Sequence, residues 1–288
     1  MKLGIPKERV DGETRVATTP EIAKKLVAGG LEVLLERGAG ELAHYTDAAY
    51  AEAGVQLTDA AGALACDIVA KVRKPLADEV GALREGAVLI GHAETCEDDE
   101  ITAALRARNI SAIAMERIPR ISRAQSMDAL SSQSNIAGYR AVIEAAGHFG
   151  RFLPLMMTSA GSAKPARVIV LGAGVAGLQA IATARRLGAD VYAYDVRPET
   201  AEQIGSLGAK PITLDIGEAG GGEGGYAKEL SEEGKAKQQA MLADELAKAH
   251  IIVTTALVPC RPAPVLVTEA VVERMRLSLI HISEPTRQ

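Results

Sequence analysis

The sequence predicts an α/β protein of two domains with parallel sheets. Three observations carry this expectation. Short apolar runs alternate with segments of helical pattern along most of the chain, which favours strands joined by crossover helices. A glycine-rich turn, Gly172–Gly177, stands between one such run and a helical stretch. The composition is 48% hydrophobic but only 3% aromatic, with no Trp and 28 Gly among 288 residues. A core of Ala, Val, Leu and Ile suits closely packed β/α units, and the length suits two domains of ordinary size.

Each element has a local reason. Thr19 is placed to cap a helix that opens with Pro20 and stops at Gly29-Gly30. Leu31–Leu35 reads as a strand, and Thr46 caps a second helix that ends at Gly54. Ile68–Val72 and Ala87–Ile90 are buried strands, Ile101–Arg108 is helical, and Ser111–Met115 is a further strand. The acids Glu97-Asp98-Asp99-Glu100 open the helix before it, where the dipole favours them. Ser131–Arg151 is a long connecting helix with Ile136, Tyr139, Val142, Ile143 and Ala146 near one face. A second α/β unit begins at Ala166. Between Gly217 and Gly225 six of nine residues are glycine, a composition expected of a mobile loop.

Charge and cysteine content exclude some functions. The net charge of −5 is not the basic footprint of a nucleic-acid-binding protein. Cys66, Cys96 and Cys260 are far apart and form no C-x-x-C, so reduced thiols in a reducing compartment are expected. No apolar run reaches the roughly 18 residues that cross a bilayer. The longest apolar region, Ile251–Val267, contains Arg261 and three prolines. No membrane span is expected in this chain, although it can dock on a membrane that a partner spans. His44, His148, His250 and His281 are scattered, and no metal-ligand spacing occurs.

The strongest chemical signal is a dinucleotide fingerprint. Arg167–Leu171 reads as a strand, Gly172-Ala173-Gly174-Val175-Ala176-Gly177 follows, and Leu178–Leu187 is a helix ending at Gly188. A second strand, Asp190–Tyr194, ends in Asp195, 18 residues after the last glycine. Gly172 permits the tight turn, Gly174 lets the backbone approach a pyrophosphate, and Gly177 lets helix and strand pack closely. Unpaired N–H groups at the helix start, around Val175 and Ala176, meet the phosphates. Asp195, with Val196 beside it, is expected to accept hydrogen bonds from the adenosine ribose and to repel a 2′-phosphate, favouring NAD over NADP. Arg197 works against that preference, because an arginine there could accept a phosphate. The expected architecture is therefore two Rossmann-like domains, the second carrying the dinucleotide fold.

A second unusual segment is Pro119–Ser134. It sets Arg120, Arg123, Gln125, Asp128 and several hydroxyls between a strand end and the long helix. A connecting loop has no packing need for this set, whereas a nicotinamide carboxamide needs donors and acceptors such as Gln125, Asp128 and Ser131. Arg120 could hold a phosphate or a nicotinamide-side group.

The run Pro119–Ala141, with its Ser131-Ser132-Gln133-Ser134-Asn135-Ile136-Ala137-Gly138-Tyr139-Arg140 ending, resembles the signature loop of the NAD(H)-binding component of proton-translocating NAD(P) transhydrogenases. Gly4-Ile5-Pro6-Lys7-Glu8 and Glu13-Thr14-Arg15-Val16-Ala17 resemble the start shared by that family and alanine dehydrogenases. Gly172–Arg186, Gly224–Glu229 and Thr254–Pro259 are similar to the transhydrogenase members. The resemblance implies that Arg120, Gln125, Asp128 and Ser131 surround the nicotinamide and turn it toward NADP(H) on a partner subunit. It implies that Gly172, Gly174, Val175, Ala176, Gly177, Asp195, Val196 and Arg197 bind the rest of NAD(H), with Tyr226 on a lid. It further implies a Re/Si-specific transhydrogenase alpha subunit coupled to proton translocation. Such a subunit is a homodimer with membrane and NADP-binding partner subunits, peripheral on the cytoplasmic face of a bacterial inner membrane.

Two alternatives stand beside this reading. An alanine dehydrogenase needs proton transfer and hence a base. The position matching that family's catalytic lysine is Arg73, which stays charged. His92 falls near the catalytic histidine among poorly matching neighbours, and Arg15 matches an arginine that holds the substrate carboxylate in those relatives. A non-catalytic NAD(H) sensor is the other alternative, and it gives no reason for the Arg120–Ser131 loop. The expected organisation is an N-terminal domain at 1–132, an NAD(H)-binding domain at 133–276 with its C-terminal part missing, and a non-native tail at 277–288, where Leu277–Gln288 departs from the family pattern.

Overall fold

The computed structural model describes residues 1–93, 99–214, 232–257, 262–275 and 280–283. Two compact units divide the chain, Met1–Leu130 and Ser131–Gln288.

The first unit is a parallel sheet of six strands wrapped by short helices. In chain order it runs β1 (Lys2–Ile5), α1 (Pro20–Ala28), β2 (Glu32–Glu36), α2 (Asp47–Glu52), β3 (Gln56–Thr58), α3 (Ala60–Leu64), β4 (Ile68–Ala70), α4 (Ala77–Ala82), β5 (Val88–Gly91), α5 (Glu100–Ala107) and β6 (Ser111–Ala114). The spatial order is β3-β2-β1-β4-β5-β6, so the direction of winding reverses between β1 and β4. Leu3 pairs with both Val33 and Ile68 and fixes β1 at the centre. The caps act as their residue types require: the side chains of Thr19, Thr46 and Asp59 accept from the N–H groups of Ile22, Ala49 and Gly62. Asp99 does the same for Thr102 at the start of α5. One face of the sheet buries Leu3, Ile5, Val33, Leu35 and Tyr50, whose hydroxyl donates to Thr18 O at 2.7 Å. Leu64, Val69, Val80, Leu83, Leu89 and Leu105 fill the other side. Two 3-10 turns, Met115–Arg117 and Ser122–Met127, follow β6.

The second unit begins in the helix α6 (Ala129–His148), longer at its start than the sequence pattern suggests. A hairpin of β7 (Met156–Thr158) and β8 (Gly161–Ala163) follows. Then come β9 (Arg167–Leu171), α7 (Val175–Arg186), β10 (Asp190–Tyr194), α8 (Thr200–Ser206), β11 (Lys210–Pro211), α9 (Glu232–Leu246), β12 (Ile251–Thr254), α10 (Glu269–Arg274) and β13 (Ile280–Ser283). Their sheet is parallel in the order β11-β10-β9-β12-β13, again with the winding reversed beside its first strand. Val168, Ile169, Val170 and Leu171 are buried from both faces, as a central parallel strand should be. Residues 280–283, which the sequence pattern places in a tail outside the native protein, pair as β13 alongside β12, Ile251 opposite Ile280.

The buried face of α6 is not the one expected from its large apolar residues. Ile136 and Tyr139 are exposed, while Gly138, Val142, Ala145 and Phe149 form the buried stripe. The reason is close approach: a Cβ at Gly138 would stand 2.0 Å from Ala176 O in α7. Small residues let the two helices touch, and the large ones turn outward. Among the described residues no helix is long and apolar enough to cross a membrane.

Candidate functional site

The site is built at the carboxyl ends of β9, β10 and β12, where the winding of the second sheet reverses; ligands of open α/β sheets bind at such crevices. Each glycine of the turn after β9 has a distinct physical role. Gly172 has φ +97°, in the region that L side chains rarely adopt, and its N–H donates to Tyr194 O at 2.8 Å. Gly177 lies where a Cβ would be 1.8 Å from Gly172 O, so only hydrogen allows α7 to pack on the turn. Around Gly174 a Cβ would meet nothing within 4 Å. The space in front of it is open to a pyrophosphate, and α7 starts at the next residue, Val175. The helix therefore begins earlier than its sequence pattern indicates, which places the unpaired N–H groups of its first turn at the loop. A dinucleotide pyrophosphate fits this cradle.

Asp195 follows β10 and reaches back to the same loop. Its Oδ2 accepts from the Ala173 N–H at 2.7 Å and from Arg197 Nη2 at 3.0 Å. Its Oδ1 accepts from the Arg197 N–H at 2.9 Å and from Arg197 Nε at 3.0 Å. Burial pushes this carboxyl up, but the Arg197 guanidinium and the two backbone N–H groups outweigh burial and hold it below the usual carboxylate range. Val196 is exposed beside it.

Two supports of the cradle are not evident from sequence patterns. Thr255, just after β12, has its hydroxyl 3.0 Å from Gly172 O and 3.2 Å from Leu171 O. Gly138 and Asn135 bring α6 against α7, Asn135 Nδ2 donating to Gln179 Oε1 at 3.2 Å. Both contacts join segments distant in the chain, and no local spacing announces them.

Of the residues assigned to the nicotinamide side, Arg120 is exposed ahead of the 3-10 turn Ser122–Met127, and Gln125 is exposed within it. Asp128 is half-buried at the end of that turn, its N–H donating to Gln125 O at 3.3 Å. Ser131 lies in the first turn of α6. Tyr226 and the loop Gly217–Gly225 lie outside the described residues.

The groups that an amino-acid dehydrogenase would need are engaged elsewhere in the first unit. Arg15 makes a two-point pair with Glu13, Nε to Oε1 at 2.8 Å and Nη2 to Oε2 at 2.6 Å. The Arg73 N–H donates to Glu8. Lys71, the nearest amine, is 5% exposed and donates to both oxygens of Glu79, at 2.7 and 2.8 Å. His92 Nδ1 is 3.6 Å from Glu116.

These features define a dinucleotide-binding α/β protein with a glycine-rich phosphate cradle. The profile "Alanine dehydrogenase/PNT, N-terminal domain" matches residues 4–137, and "Alanine dehydrogenase/PNT, C-terminal domain" matches residues 141–280. The chain is 54% identical over 285 residues to an NAD(P) transhydrogenase subunit alpha chain of Rhodospirillum rubrum, covering 96% of this chain and 74% of that one. It is similar to the crystal structure of transhydrogenase from Sinorhizobium meliloti, with 45% identity, TM-score 0.88, and 98% of this chain and 77% of that chain covered. An L-alanine dehydrogenase structure lies further away, at 28% identity and TM-score 0.79, with 98% and 73% covered. The chain belongs to the alanine dehydrogenase/transhydrogenase family, among the NAD(P) transhydrogenase alpha subunits.

Proposed function

We propose that this chain is the NAD(H)-binding component of a proton-translocating, Re/Si-specific NAD(P) transhydrogenase, with residues 1–132 and 133–276 as its two domains. The observation that carries the reading is the cradle at Gly172–Gly177, held by Thr255 and joined through Ala173 to Asp195. When bound, the nicotinamide supplies the hydride chemistry. Hydride exchange between two nicotinamides needs no acid or base, only close and aligned rings, so this chain's task is positioning. The engaged state of Lys71 and Arg15 supports that reading over an amino-acid dehydrogenase. Arg120, Gln125, Asp128 and Ser131 orient the nicotinamide by its carboxamide, and Tyr226 belongs to the lid. Partner subunits supply NADP(H) and the membrane segments, which places the chain on the cytoplasmic face of a bacterial inner membrane.

The test is transfer from NADH to an oxidised NADP analogue in the presence of an NADP-binding transhydrogenase component. Gln125→Ala or Asp128→Ala should lower transfer about 10- to 100-fold, since each removes a group that aligns the reacting ring. Partner-independent NADH oxidation with pyruvate and ammonium would sink the proposal in favour of an alanine dehydrogenase.

The chain also pairs with a second copy. The support is an apolar surface around the β7–β8 hairpin, where Phe152, Leu155, Met156 and Met157 are exposed, Met157 at 74%. Such a surface on one short segment marks an interface. Sedimentation should give the mass of two chains, and Phe152→Asp with Met157→Asp should give the mass of one. A native chain that sediments as a monomer at micromolar concentration removes the proposal.

A further inference from the structure

The carboxylate expected to receive the adenosine ribose already has a full complement of donors. An ionised carboxylate offers about four lone-pair sites. In Asp195 they meet four donors: the N–H groups of Ala173 and Arg197, and Nε and Nη2 of Arg197. The two backbone donors are fixed by the phosphate loop and by the turn after β10. The two guanidinium donors sit on a flexible side chain that is 37% exposed, while the Asp195 side chain is 7% exposed. A ribose diol can reach the carboxylate only by taking the places of the guanidinium. The displaced Arg197 then carries its charge next to the 2′ position, the one place where NAD(H) and NADP(H) differ.

We infer that Arg197 is a latched specificity residue: Asp195 holds its guanidinium away from a 2′-phosphate, and loss of that carboxylate converts Arg197 into a 2′-phosphate ligand. The inference rests on the NAD(H)-binding reading above and assigns its selectivity to one ion pair. With Asp195 in place, a 2′-phosphate is disfavoured twice. It meets a buried negative charge, and it must draw Arg197 out of a two-point pair whose planar geometry suits the carboxylate equally well. With Asp195 neutral, the first obstacle disappears and the guanidinium has no competing anion at this position. Arg197 therefore gives NADP(H) nothing in the native chain and much in the Asp195 variant, so the two residues are strongly coupled toward that ligand.

The experiment is a fluorescence titration of NADH and NADPH with the purified chain and its Asp195→Asn, Asp195→Ser, Arg197→Ala and Asp195→Asn/Arg197→Ala variants, each checked for native circular dichroism. The native chain should prefer NADH. Either Asp195 variant should gain about tenfold in NADPH affinity, the scale of one charge-assisted pair. Arg197→Ala should change NADPH affinity less than about twofold in the native background and about tenfold in the Asp195→Asn background. Equal NADPH affinity for Asp195→Asn with and without Arg197 would overturn the inference while leaving NADH binding by the native chain intact. A native chain that binds neither nucleotide would overturn the NAD(H) reading and the inference with it.

Discussion

Gly177→Ala should abolish measurable NADH binding at micromolar protein and lower thermal stability, whereas Gly174→Ala should weaken binding with little change in stability. The contrast follows from what each added methyl group meets. At Gly177 the Cβ would lie 1.8 Å from Gly172 O, 2.8 Å from Gly172 C and 2.9 Å from Thr255 Oγ1. Two of these are backbone atoms of the turn itself, so α7 must back away from the strand or the turn must open. Overpacking of this kind costs roughly 1–3 kcal/mol, and a loss of about 3 kcal/mol in the bound geometry is about 100-fold in affinity. Because Thr255 touches the same turn from β12, displacing it also disturbs the hydroxyl contacts to Leu171 O and Gly172 O. At Gly174 the methyl group projects into open space, so the folded chain accepts it and only the approach of a pyrophosphate is obstructed. Titration calorimetry with NADH and a thermal melt of each variant separate the two cases. If both variants melt and bind alike, the glycines do not have the separate roles assigned here.

Much of this site is legible in the sequence because its determinants are local. The strand Arg167–Leu171, the spacing of Gly172, Gly174 and Gly177, and the acid ending β10 all lie within 29 consecutive residues. Each follows from what a short turn, a helix start or a strand end requires. What is not legible depends on contacts between distant segments. β1 and β3 are only four and three residues long, too short for a periodic pattern, and become strands through their neighbours in the sheet. The outward turn of Ile136 and Tyr139 is set by the fit of Gly138 against Ala176, which the periodicity of α6 alone does not contain. Arg197 is visible as a cation near an acid, but its direction, back onto Asp195 and away from the ribose side, is a property of the turn after β10.

The same holds for the ion cluster at the winding reversal of the first unit, where a single change should have the largest effect on stability. Lys71→Met should destabilise the chain by about 3–5 kcal/mol in denaturant unfolding, the usual consequence of removing one partner of a buried pair. Lys71 follows β4, and its ammonium lies between both oxygens of Glu79 in α4 and Glu8 Oε2 at 3.8 Å beyond β1. All three side chains are buried, at no more than 3% exposed. Glu79 also accepts from the Leu76 N–H, and Glu8 from the N–H groups of Val72 and Arg73, so the carboxylates cannot withdraw to solvent without releasing backbone donors. Lys71→Met/Glu79→Gln should recover part of the loss, because the amide oxygen keeps the Leu76 contact without an unbalanced charge. The pH dependence has a definite sign. Burial already raises the Glu8 carboxyl above its ordinary 4.5, against the opposing pull of Lys71. Without the ammonium it rises further. A raised carboxyl contributes stability that is present below its unfolded value and lost as pH climbs through the folded one. The deficit of Lys71→Met should therefore be smaller near pH 4.5 than at pH 8. A loss below about 1 kcal/mol, independent of pH, would mean that the cluster is hydrated and contributes no more than a surface pair does.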